Sequence, residues 1–94
     1  MSDSAIGDIF FLIERERERE RVAKFGAYQY EEISEEVCLA ILMEEVGKVA
    51  HVLNDLRVGD VTTGTYAQLE AELVRTATVC VAWLQALGAG EASS

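Results

Sequence analysis

The sequence predicts an all-α protein: a helical bundle of three main helices, two of them long and paired as a hairpin, completed by homo-oligomerisation. Three observations predict it. The 94 residues contain no proline, half of them are apolar, and Ala, Leu, Val and Glu dominate, a composition that favours helices over sharp turns. Apolar residues recur three and four apart along three separate stretches, the period of a helix face. Gly, Ser and Thr stand at the ends of those stretches, where helix caps belong.

The length suits one domain spanning residues 1–94, with a loose tail from about residue 89. Ser2 to Ser4 offer N-caps for a first helix that carries Ile6, Ile9, Phe10 and Ile13 on one side. The helix continues into the alternating run Glu14 to Arg21, in which i,i+3 partners are opposite in sign and i,i+4 partners alike, so the net gain is small. This run reads as a solvated face or an inter-subunit charge seam. Lys24 and Gly26 make a helix stop, and a loop with Tyr28 and Tyr30 follows.

The second helix is predicted from Tyr30 or Ile33 to Arg57, stopped by Gly59. At 1.5 Å per residue it would be nearly 40 Å long, the span of a whole monomer of this size. Its apolar positions, among them Ile33, Val37, Ile41, Val46, Val49 and Leu53, cover more than one stripe. Two faces must be buried, which predicts a homodimer or homotetramer. After a short turn from Gly59 to Gly64, Thr65 with Gln68 forms a capping box for the third helix, which Gly88 closes. From Ala77 to Leu84 that helix is apolar nearly all round and is expected to be central.

The formal net charge of −9 disfavours nucleic acid as a partner, because such binding depends on basic side chains neutralising phosphates. The longest apolar runs fall well short of a membrane span, and the N-terminus lacks the pattern of a secretory signal. Cys38 and Cys80, each among Val, Ala and Leu, read as small buried reduced thiols, so a cytoplasmic protein is expected.

The chemistry-bearing stretch is Leu42 to Asp55. Glu44 and Glu45 are adjacent, Lys48 lies one turn on, and Asp55 follows two turns later on roughly the same side. Gly47 in mid-helix is expected to mark the close approach of a neighbour or ligand. Carboxylates on one helix with another from a facing helix, here Glu72, can hold Mg²⁺ or Mn²⁺ through oxygen ligands, or can simply be helix-surface glutamates. His51, the single histidine, lacks a nucleophile partner in sequence and reads as structural.

Three segments in order, Glu18 to Gly26, Leu42 to Ala50 and Glu72 to Leu84, resemble the MazG-like branch of the all-α nucleoside triphosphate pyrophosphohydrolases. The resemblance spans nearly the whole chain. It implies a helical bundle of paired subunits and Mg²⁺-dependent hydrolysis of a (deoxy)nucleoside triphosphate to the monophosphate and pyrophosphate. The family signature is Glu-Glu-x-x-Glu on one helix and Glu-x-x-Asp on the next. Its glutamates fall on Glu44, Glu45 and Glu72, the implied catalytic metal ligands, with Asp55 as a replacement oxygen donor. The third Glu position is Lys48 and the Asp position is Arg75, which moves the five signature positions from −5 to −1. Lys48 and Arg75 stand at ion-pairing distance in sequence from the remaining glutamates, or can contact phosphate directly. Two readings follow: a pyrophosphohydrolase of weakened or lost activity, and a noncatalytic nucleotide-binding or protein-interaction module on the same scaffold.

Overall fold

A computed structural model describes residues 3–22, 30–59 and 64–88. The predicted three-helix architecture is present: α1 (Asp3–Val22), α2 (Glu35–Val58) and α3 (Tyr66–Ala86), with a 3₁₀ turn at Tyr30–Glu32 before α2. Among the described residues there is no strand, and no helix is long and apolar enough to cross a membrane. The α2–α3 hairpin is the main packed unit, and α1 lies mainly on α3.

Local sequence fixes the helix ends. Ser34, with extended backbone, accepts a hydrogen bond from the Val37 N–H at 3.2 Å and starts α2. The start therefore falls at Glu35 rather than at Tyr30 or Ile33, and Tyr30–Glu32 forms its own turn. Gly59 ends α2 in the left-handed conformation, φ 80°, where a side chain would be strained. At α3 the capping box is complete: the Gln68 N–H donates to Thr65 Oγ1 at 3.1 Å and the Thr65 N–H to Gln68 Oε1 at 3.0 Å. Lys24, Gly26, Tyr28, Thr62, Thr63 and the tail from residue 89 lie outside the described residues.

The core is small. Tyr30, Cys38, Ile41, Val79 and Ala82 are buried together, with Ile33, Leu42, Trp83 and Ala86 packed against them. Tyr30 is thus a packing residue, and Trp83 anchors the far end of the hairpin by donating its indole N–H to Glu35 at 2.9 Å. Three expectations are corrected. Cys38 is buried, but Cys80 is exposed. Leu84, expected inside a central helix, is half exposed. Gly47 faces open space, so no close neighbour in this chain requires it. The radius of gyration is 14.8 Å, against about 12 Å for a compact chain of this length.

The glycine under real constraint is Gly64. A Cβ there would lie 2.6 Å from the backbone carbonyl carbon of Asp55 and the nitrogen of Leu56. Neither is a flexible side-chain end, so the hairpin turn would have to shift. Gly64→Ala is expected to destabilise the chain by about 1–3 kcal/mol, read as a fall in Tm, whereas Gly47→Ala should raise Tm through better helix propensity.

Candidate functional site

Carboxylates from all three helices converge on the seam between them. On α2, Glu45 is turned inward with 15 % of its side chain exposed, while its neighbour Glu44 is 64 % exposed. On α3, Glu72 is 13 % exposed, and on α1 Glu16 is 15 % exposed. Helical periodicity explains the choice: Glu45 shares the inner row of α2 with Cys38, Ile41 and Val52. Glu44 is rotated one position away. Glu20 of α1 adds a further carboxylate near Glu16 and Glu45, and burial together with those like charges pushes its pKa up, against the opposing pull of Arg17 and Arg19.

Cations of the chain itself sit among these groups. Lys48 Nζ lies 3.3 Å from Glu45 Oε1 and 3.9 Å from Glu44 Oε1. Arg75 Nη1 donates to Glu72 Oε1 at 2.7 Å, and its Nε lies 3.8 Å from Glu16 Oε1, so one guanidinium spans α3 and α1. Arg19 Nε donates to Glu16 Oε2 at 2.9 Å. The Arg19 hydrogen bond holds Glu16 below the usual carboxylate range, with a smaller contribution from Arg75. The Glu45 hydrogen bond and charge raise the Lys48 ammonium, with Glu44 and Glu72 adding to the effect. Arg17 completes the seam by donating Nε–H to Gln85 at 2.9 Å, with its guanidinium 5.9 Å from the Tyr30 ring centroid.

Each of the two inner glutamates keeps one oxygen back. Glu45 Oε2 and Glu72 Oε2 are buried and make no hydrogen bond. Those are the atoms a hard cation would use. The donor set around them does not suit Mg²⁺, which requires near-octahedral oxygen coordination at 2.0–2.1 Å. Among the described residues no three His, Cys, Asp or Glu side chains gather as a cation site. Lys48 and Arg75 already engage the partner oxygens, and a fixed cation beside a divalent ion is repelled by several kcal/mol in a partly dehydrated site.

Asp55 belongs elsewhere. Ten residues from Glu45 along α2, it is displaced by about 15 Å of helix rise. It is buried beneath the turn at Gly64 and pairs with His51 Nε2 at 3.3 Å. The histidine is largely exposed and serves this local contact. Lys48 and Arg75 are brought to the seam with the glutamates, but both are engaged with carboxylates there.

Glu16 and Glu20 were not singled out by the sequence. Their alternating neighbours hide the signal, yet Ile9, Ile13, Glu16 and Glu20 follow a 4-3-4 spacing that carries the apolar side of α1 into the charged run. No family model, curated protein or solved structure matches the chain in comparison with known proteins.

The pH response of Glu20 follows from its raised pKa. Its ionised form is disfavoured in the fold, so it weakens stability as pH rises above the ordinary value of 4.5 and has no such effect well below it. Glu20→Gln is therefore expected to raise Tm at pH 7 and to leave it unchanged near pH 3.5, measured by thermal melts at the two pH values.

Proposed function

We propose that the chain is a noncatalytic MazG-like helical module, working through protein interaction rather than triphosphate hydrolysis. One observation carries the reading: the two side chains that depart from the family signature, Lys48 and Arg75, are ion-paired with the very glutamates the signature retains. An acidic centre neutralised from within has no need of a divalent cation, and its cations are not free to receive phosphate. The formal charge of −9 further disfavours a free nucleotide in the absence of a metal. In this reading the chain acts in the cytoplasm, where the thiols of Cys38 and Cys80 stay reduced.

The enzymatic alternative draws on one specific observation, the unpartnered buried oxygens of Glu45 and Glu72. If Lys48 and Arg75 swing aside, those atoms become available, and weak pyrophosphohydrolysis of a (deoxy)nucleoside triphosphate would follow.

Pyrophosphate release separates the two. Purified protein is incubated with a panel of nucleoside triphosphates and Mg²⁺ or Mn²⁺. No release above the protein-free control is expected. Turnover that Glu45→Gln abolishes would refute the noncatalytic reading. The double substitution Lys48→Glu with Arg75→Asp, which rebuilds the acidic signature, is expected to gain a rise in Tm on adding Mg²⁺ that the unsubstituted chain does not show.

A further inference from the structure

A groove of about 930 Å³ lies between α1 and α3, and no residue of α2 lines it. Its floor is Phe11 and Leu12 of α1 with Ala67, Ala71 and Val74 of α3. The lining runs from Phe11 to Arg19 on one wall and from Ala67 to Arg75 on the other, about 12 Å of helix rise along each. Ala67 and Ala71 keep the α3 wall low, so a backbone can come close there. Phe11 stands 61 % exposed at one end of the floor, an apolar surface that nothing in this chain covers.

The walls decide what shape of partner fits. Both are helices whose backbone amides are spent internally, so an extended segment would find no strand edge to pair with. A helix needs only a floor for its side chains. Two turns of a helix span the length of this groove, and a third helix settles between two neighbours as it does in a bundle. Residues at i, i+3, i+4 and i+7 of such a helix would meet Phe11, Leu12, Ala67, Ala71 and Val74.

Charge decides what flanks that stripe. Several charges around the groove are already met from within the chain: Glu16 by Arg19 and Arg75, and Glu18 by Arg21. Glu14 on the α1 wall and Glu70 on the α3 wall are exposed and take part in no ion pair among the described residues. Each wall therefore offers one unmatched carboxylate, and basic side chains on both flanks of an incoming stripe would match them. Arg15, also without an ion pair, adds a place for one acidic side chain. A second copy of this chain is a poor occupant, because it would bring a formal charge of −9 to those carboxylates.

We infer that the α1–α3 groove receives an amphipathic helix of another protein, its apolar stripe on Phe11, Ala71 and Val74 and its Lys or Arg flanks on Glu14 and Glu70. The inference rests on the interaction reading above and names the partner's chemistry. Binding is measured without a nucleotide, so an empty groove and a chain that releases pyrophosphate are separate results.

The probe is a fluorescent synthetic helix of about 18 residues, with leucines at i, i+3, i+4 and i+7 and lysines on both flanks. Fluorescence anisotropy is expected to show saturable binding below roughly 100 μM, while the same peptide with glutamate for lysine does not bind. Ala71→Arg, which raises the floor at an exposed helix position, is expected to weaken binding at least tenfold with unchanged far-UV helicity. Glu14→Gln with Glu70→Gln should weaken it roughly fivefold, and the loss should shrink as salt is added. Glu31→Gln with Glu32→Gln makes the same change of charge at exposed positions outside the groove and should leave binding within about twofold. No saturable binding overturns the inference, and so does binding that Ala71→Arg leaves intact. Equal losses in the two double variants also overturn it, since the attraction would then be to net charge alone. If Ala71→Arg fails to fold, the contrast between the two double variants decides.

Discussion

The fold turns on a requirement at its centre: carboxylates from three helices share a half-buried seam and must be neutralised. Arg75 serves two of them, binding Glu72 on its own helix and reaching Glu16 on α1, where Arg19 supplies the larger share. Removing one partner of such a pair leaves a charge with nowhere to go, which is destabilising by more than the pair itself contributes. Lys48 performs the equivalent task for Glu45. The docking of α1 on α3 and the neutralisation of the seam are therefore one electrostatic problem, met by Lys48 and Arg75 together with Arg17 and Arg19 of α1.

Apolar packing is the second constraint, and within one chain it is incompletely met. The buried cluster around Cys38, Ile41, Val79 and Ala82 occupies one end of the hairpin. Elsewhere, Leu39, Met43, Leu73 and Leu84 are left at 50 % exposure or more. Helices of this length gain most of their stability from packing an apolar face rather than from propensity, so this face is left without that gain within one chain.

Much of this was legible in sequence because it depends on local rules. Thr65 with Gln68 and Gly59 announce helix ends through backbone hydrogen bonding and left-handed geometry, and the structure places them there. The two-faced apolar pattern of α2 was visible too. What was not legible depends on tertiary placement. Glu16 and Glu20 look like any other members of an alternating run until α1 is docked. Cys80 was expected to be buried because its neighbours are apolar, but the single chain has nothing to place over it. Gly47 suggested a close approach that this chain does not make.

We propose that Lys48 and Arg75, paired with Glu45 and Glu72, close the acidic seam to a divalent cation. Calorimetric titration of the unsubstituted chain with Mg²⁺ tests it most directly. No saturable binding is expected up to millimolar concentrations. Stoichiometric binding that is lost in Glu45→Gln or Glu72→Gln would contradict it.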